Sequence, residues 1–256
     1  MAEEFGELAA HGICGCHVHV GVADREMAVQ VGNHLRGWLP TLVALTANSA
    51  VHCGRDTGYA SWRSVLWARW PCSGAPPCFR SATHYDEVVG MLLESGAAFD
   101  RRMVYWDVRP SEHLPTIEVR ASDVPSTVDE TVLVAGLVRG LVATALRALE
   151  MGRSAPPVDD EALRVAYWRS ARDGLRGAAL DPFTGRRTTG VEQLGALVRH
   201  IRGALEEFGD LAEMRTLTGR LLARGNGAIR QRRALRQRGA VEDVVEQVAR
   251  ATLQGT

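Results

Sequence analysis

Three short stretches of this sequence carry the residues that could do chemistry: His17-Val18-His19, Trp106-Asp107-Val108-Arg109 and Thr116-Ile117-Glu118-Val119-Arg120. In a β-strand alternate side chains share a face, so His17 and His19 would look one way and Val18 and Val20 the other. The same parity sets Asp107 beside Arg109 and Glu118 beside Arg120. If the three stretches lie in one sheet, a single face gathers two imidazoles, two carboxylates and two guanidiniums. Glu118 and Asp107 are the oxygen donors that Mg²⁺ prefers, whereas a His17/His19 pair suits a transition metal, and ligand type leaves both open. Arg63, Arg109 and Arg120 offer the planar fork that binds phosphate or carboxylate through two hydrogen bonds.

Other chemistries fit less well. Cys14, Cys16, His17 and His19 are all zinc ligands by type, yet a regular strand sends the cysteines and the histidines to opposite faces, and a bulge at Gly15 is the easy way to reunite them. The sequence has no G-x-S-x-G elbow, no papain-type cysteine signature and no dinucleotide fingerprint. Alternation by itself also describes a half-solvated sheet. The histidines and the opposite charges of Glu118-Val119-Arg120 make this face less ordinary.

The elements that must position these residues can be read from spacing. The stretches around Arg109 and Glu118 are joined by the short Pro110 to Pro115 connection, which predicts an antiparallel pair, and Cys14 to Gly21 is a third strand. Residues Glu3 to His11 read as the end of a helix leading into that strand. Asp24 is placed to cap a helix carrying Met27, Val31, His34, Leu35 and Trp38, and Pro40 begins a second helix or kinks the first. His52 to Arg80 is loop-rich, with four arginines and three tryptophans. Helices are predicted over Ser81 to Ser95 and Val128 to Glu150, the latter with Gly136 and Gly140 marking close helix packing.

After the Ala155-Pro156-Pro157 linker the pattern is helical. Helices are expected over Asp160 to Arg176, Val191 to Phe208 and Leu211 to Ala223, with a turn at Leu180 to Gly185 and a last, basic helix from Ala228 to Arg238. Its arginines form either a solvated face or, through Arg230 and Arg232, phosphate contacts near the sheet. The expected organisation is α+β: residues 1–150 form a sheet-and-helix core, and 151–256 a helical part of the same domain.

Composition excludes several classes. Hydrophobic content of 46% with 23% charged residues is that of a globular chain, and thirty basic residues balance thirty acidic ones, so no global field draws it to nucleic acid or an anionic membrane. Every basic residue is arginine, which rules out a P-loop lysine and a Schiff-base lysine. Five cysteines at irregular spacing argue against a disulfide framework and for a reducing cytoplasm. The N-terminus lacks the basic and apolar regions of a secretory signal. The run Val132 to Leu146, interrupted by Gly136, Arg139 and Gly140, is too short to span a membrane.

Taken in order, Cys16-His17-Val18-His19-Val20-Gly21, Leu45-Thr46-Ala47-Asn48-Ser49, Asp56-Thr57-Gly58-Tyr59-Ala60-Ser61-Trp62-Arg63, Tyr105-Trp106-Asp107-Val108-Arg109-Pro110-Ser111, Thr116-Ile117-Glu118-Val119-Arg120 and Asp181-Pro182-Phe183-Thr184-Gly185 resemble the motifs of a known family. These are the carboxylate–amine ligases related to type-two glutamate–cysteine ligases. The resemblance extends to Ala171-Arg172-Asp173-Gly174-Leu175 and Gly227-Ala228-Ile229-Arg230-Gln231-Arg232. It implies a fold similar to the catalytic domain of glutamine synthetase, an antiparallel sheet whose concave face binds Mg-ATP and whose back packs on helices. The implied reaction phosphorylates a small carboxylate with ATP and lets an amine displace phosphate from the acyl phosphate. By resemblance Glu118 is a metal ligand, His17 or His19 a metal or nucleotide contact, and Arg120 a phosphate contact, while Asp107 joins the expected metal set by its ligand type. Arg63 and Arg109 become substrate or phosphate binders, and Arg230 and Arg232 nucleotide contacts.

Family members begin with a Gly-x-Glu-x-Glu strand and further sheet and helix, and this chain starts after that region. The fold is therefore expected to be incomplete at its N-terminus, with an open sheet edge covered by a second copy or by a small partner subunit that supplies the acidic strand. The alternatives are a pared-down enzyme with altered chemistry, such as metal-dependent amide hydrolysis, and a non-catalytic binding or scaffold protein.

Overall fold

The computed structural model describes residues 2–10 and 12–253; the helix end expected at His11 lies outside them. The chain opens with a short helix α1 (Ala2–Phe5) and a 3-10 turn Gly6–Ala10, then enters strand β1 (Gly15–Gly21). Asp24 caps helix α2 (Arg25–Leu35) by accepting from the Met27 amide at 2.8 Å. A 3-10 turn, Arg36–Trp38, carries the chain into α3 (Leu39–Thr46), where Pro40 sits in the first turn and needs no amide partner. The 52–80 region is more ordered than its composition predicts. It holds the end of a hairpin, β2 (Val51–His52) with β3 (Arg55–Asp56), a helix α4 (Trp62–Trp67) capped by Ser61, and a short strand β4 (Ser73–Gly74).

Helix α5 (Ala82–Glu94) starts at its Ser81 cap. The expected strand around Asp107 is broken in two. Strand β5 (Tyr105–Trp106) pairs in parallel with β4, and β6 (Val108–Pro110) pairs antiparallel with β7 (Thr116–Asp123). Asp107 stands at the break, its amide bonded to the Gly74 carbonyl and its carbonyl to the Arg120 amide, both at 2.7 Å. The main sheet runs β1-β7-β6.

Helix α6 (Val128–Glu150) has 23 residues and is long and apolar enough by composition to cross a membrane, which corrects the expectation of too short a run. Its Leu133, Val134, Leu137, Val138, Leu141 and Val142 are buried in the core together with Val31 and Leu35 of α2, Leu39 and Leu42 of α3, and Ile117 and Val119 of β7. Gly136 and Gly140 do mark close packing: a Cβ on Gly140 would lie 2.9 Å from Ile201 Cδ1, and one on Gly136 would strike Met214.

Helix α7 (Asp160–Asp173) leads to a hairpin, β8 (Ala178–Leu180) with β9 (Arg187–Thr189), that contains the expected turn. Then follow α8 (Gly190–His200), α9 (Arg202–Glu207), α10 (Leu211–Arg224) and α11 (Gly227–Arg238). The predicted Val191–Phe208 helix is thus two helices, broken at Ile201, whose side chain fills the core. A further helix not read from the sequence, α12 (Val241–Leu253), packs on α11. The core cluster draws on Leu194, Leu197, Leu205, Met214 and Leu217 as well as on the sheet and α2, so the two halves of the chain share one interior.

The start of α11 is locked to the loop after α3. Gly227 leaves no room for a side chain against Asn48, which donates to the Val124 carbonyl at 2.7 Å and accepts from Gln231 at 3.0 Å. Gly227→Ala must displace Asn48 and these bonds. A loss of about 1–3 kcal/mol is expected, measured as a lowered urea midpoint with unchanged helical circular dichroism.

Candidate active site

The functional face is built where β7 lies between its neighbours. His19 stands opposite Glu118 on β1, and Arg109 stands opposite Glu118 on β6. Glu118 is 5% exposed and sits at the centre of a charge cluster. Its Oε1 lies 2.9 Å from His17 Nδ1 and 3.3 Å from Arg120 Nη1, and its Oε2 accepts from Arg109 Nε at 2.8 Å. The parity argument therefore finds its face: His17, Arg109, Glu118 and Arg120 converge. His19 shares the face but bonds to Thr116 Oγ1 at 2.9 Å instead of to Glu118. On the opposite side Ile117 and Val119 are fully buried, while Val18 and Val20 are half-buried because β1 is an outer strand.

A bulge shapes this site. The pairing of β1 with β7 shifts between Cys16 and Val18: Cys16 meets Ser122 but Val18 meets Val119, so two residues of β7, Arg120 and Ala121, oppose the single residue His17. The extra residue is stabilised from behind by Arg63. Its guanidinium donates to the carbonyls of Arg120 at 3.1 Å and Ala121 at 3.3 Å and lies 3.7 Å from Asp123 Oδ1. Gly15 admits it, since a Cβ there would come within 2.5 Å of Arg63 Nη2. Arg63 was expected to meet substrate or phosphate; the structure buries it under the sheet with its donors on backbone carbonyls, where it holds the bulge in place.

Asp123 was not singled out by the sequence reading. It is 3% exposed and accepts from the Asn48 amide, Ser49 Oγ and Ser61 Oγ at 2.7–2.8 Å. The resembling segments around Asn48 and Ser61 meet on it, and a carboxylate three positions past the alternating stretch was the available signal. Arg120, 6% exposed, is flanked by aromatic rings, its Cζ lying 5.9 Å from the Trp67 centroid and 5.6 Å from that of Tyr105.

The expected metal set is not assembled. Asp107 lies near Arg63, Arg120 and Tyr167, and burial pushes its carboxyl up against the lowering influence of Arg63. The Tyr167 hydroxyl faces it without reaching hydrogen-bond geometry and is itself raised by burial and by the Asp107 charge. Among the described residues no three His, Cys, Asp or Glu groups are disposed to hold a metal. The quartet His17, His19, Glu118 and Asp107 therefore does not fit Mg²⁺ or a transition metal as it stands, because both Glu118 oxygens are already engaged by His17, Arg109 and Arg120.

Arg230 and Arg232 lie elsewhere. Arg230 Nη1 pairs with Glu130 at 2.7 Å and also reaches the Gly225 carbonyl, and Arg232 Nε pairs with Asp56 at 3.0 Å. Neither bonds to the Glu118 cluster.

Within the cluster the charges of Glu118 and its arginines are matched to each other. Burial pushes the Glu118 carboxyl up, but the hydrogen bonds from His17 and Arg109 and the charges of Arg109 and Arg120 outweigh it and hold the group at about 2. Such a group stabilises the fold above its unfolded value, about 4.3, and that contribution is lost as pH falls towards 2. Wild type is therefore expected to lose stability between about pH 5 and about pH 2 more steeply than Glu118→Gln, as read from thermal midpoints across that range.

The family model described as glutamate–cysteine ligase family 2 matches residues 1–247. A Nocardia farcinica protein named "Putative glutamate--cysteine ligase 2-1" is 55% identical over all of this chain, which covers 67% of that protein. A Mycolicibacterium smegmatis protein, "Putative glutamate--cysteine ligase 2-3", is 51% identical over 99% of this chain and 70% of its own length. The chain thus spans about two thirds of the length of these relatives. Among solved structures, the glutamate–cysteine ligase of Francisella tularensis in complex with AMP superposes with a TM-score of 0.62 at 12% identity, over 91% of this chain and 59% of that one. That likeness shows a shared fold over most of this chain. By sequence over nearly its whole length, and with the fold in accord, this chain belongs to glutamate–cysteine ligase family 2.

Proposed function

We propose that this chain carries part of the active face of an ATP-dependent carboxylate–amine ligase that forms an amide of the γ-glutamyl type through an acyl phosphate. The observation that carries the reading is the buried Glu118 cluster on a strand face in a chain of this ligase family. ATP supplies the phosphoryl group, and a divalent metal would screen its charge. This chain contributes guanidiniums and one carboxylate. Glu118 fixes Arg109 and Arg120 side by side, and Arg120, held on the rings of Trp67 and Tyr105, is the guanidinium assigned to an anionic oxygen. His17, about a third exposed, closes the row at the solvent side.

The metal carboxylates that the described residues do not gather would come from polypeptide beyond them, a second copy or a small partner. The place for such a segment is an outer strand of the β1-β7-β6 sheet, whose unpaired backbone groups are a template for pairing. The substrates are small carboxylates and amines, with no role for nucleic acid or membrane, in the cytoplasm. The lack of a converged metal set favours a second reading, a binding protein that retains the anion-recognising face without the chemistry.

Phosphate release separates the two. The ligase reading expects release from ATP to require Mg²⁺, L-glutamate and an amine such as L-cysteine together, in the chain with whatever co-purifies. Glu118→Gln should lower turnover about a hundredfold or more, since it keeps the shape and removes the charge. Arg120→Lys should fall as well, because an ammonium cannot stack or fork as guanidinium does. Calorimetry that detects no ATP binding, or a Glu118→Gln variant at full rate, would leave the binding reading in its place.

A further inference from the structure

The main sheet ends on two unlike edges. Strand β6 is short, begins at the break after Asp107 and ends on Pro110, which has no amide to give. Helix α2 packs on it, and Arg109 reaches from it to the carbonyls of Arg101, Arg102 and Val104. Strand β1, by contrast, runs unbroken over Gly15–Gly21 and pairs with β7 alone. Among the described residues nothing pairs with its outer side. The extra residue of the bulge belongs to β7, so it does not interrupt β1. The edge also lacks the lysine or proline with which open strands are commonly guarded.

A second unpartnered surface stands at the same end of the sheet. Helix α2 packs on β6 and β7 and helix α6 on β1, which makes α6 the helix behind the open edge. Its Val128, Thr131, Val132 and Ala135 recur at helical spacing on one face, and the two valines are 56% and 39% exposed. A lone strand laid on β1 would leave this stripe in water. A second copy brings a strand and a helix together, since a two-fold axis repeats both. The residues of β1 suit such an axis. Antiparallel pairing centred on Val18 sets Gly15 against the partner's Gly21, Cys16 against the partner's Val20 and His17 against the partner's His19. Glycine meets glycine, imidazole meets imidazole and a small apolar residue meets another, with no arginine or carboxylate in the strand.

We propose that two copies of this chain pair antiparallel through β1 about a two-fold axis at Val18, joining their three-stranded sheets into one and setting the partner's His19 beside His17 on the functional face. The pairing consumes the open edge of both copies and therefore closes at a dimer. It stands on the edge itself and does not depend on the ligase reading. Strand β1 brings no carboxylate, so a carboxylate-bearing strand from another polypeptide would compete for the same backbone groups.

Analytical ultracentrifugation of the whole chain tests this. The expected species at micromolar concentration has twice the 27.8 kDa of one chain. Val132→Lys, at an exposed position, should weaken the dimer about tenfold or more by charging the stripe, with helical circular dichroism unchanged. Val20→Cys, under mild oxidation, should form a disulfide to the partner's Cys16, located by peptide mass. A folded chain that sediments as a monomer overturns the proposal, as does a dimer that withstands Val132→Lys and forms no link between Cys16 and position 20. A different polypeptide that co-purifies and protects the β1 amides from hydrogen exchange would overturn it too, and would take the edge for a foreign strand.

Discussion

The geometry of this protein rests on one buried ion pair and the backbone it holds. Arg63 and Asp123 are each almost wholly withdrawn from water, and taking two charges out of water costs more than their attraction returns unless every remaining donor and acceptor is met. Here most are. Arg63 spends its terminal nitrogens on two carbonyls of the bulge, and Asp123 collects an amide and two serine hydroxyls from the loops before and at the start of α4. The pair thereby ties two separate segments, Asn48–Ser49 and Ser61–Arg63, to the end of β7. Its value lies less in net energy than in fixing where the extra residue of the bulge can sit.

That position decides the chemistry of the face. With Arg120 and Ala121 together opposing His17, the strand turns Arg120 towards Glu118 while Ala121 still reaches the core. Without the bulge, a one-residue slip would send every side chain beyond it to the other face. The helices behind the sheet supply the apolar backing, and the stretch from α4 to β5 supplies the aromatic bed on the other side of Arg120. In this chain of the ligase family the face is a row of paired arginines, histidine and glutamate, without a finished metal centre among the described residues.

Much of this was legible in the sequence, for a physical reason. The period-two alternation of His17, His19, Glu118, Arg120 and Arg109 needs only local backbone geometry, as do the caps at Asp24 and Ser81. What escaped depends on distance in the chain. The bulge is dictated by an arginine 57 residues away, and the strand break at Asp107 by pairing with Gly74. Asp107 looked like a ligand because parity says which face a residue takes, not whether that face is open, and burial beside Tyr167 removes it from the row. Arg230 and Arg232 sit in a basic helix whose surroundings include α12, whose boundary at Gly239 the sequence reading did not follow. Arg63 lay in a motif-like segment, but its type could not distinguish a hand for substrate from a prop for the backbone.

The aromatic bed under Arg120 carries a last consequence. A free arginine side chain gives up considerable rotational freedom when it grips an anion, and that loss usually blunts the gain from the new bonds. Packed on Trp67 and Tyr105, and tethered to Glu118, Arg120 has surrendered that freedom during folding. On the proposed reading an oxyanion would meet a guanidinium whose entropy is already spent, and the face would discriminate among anions by fit with little reorganisation of its own.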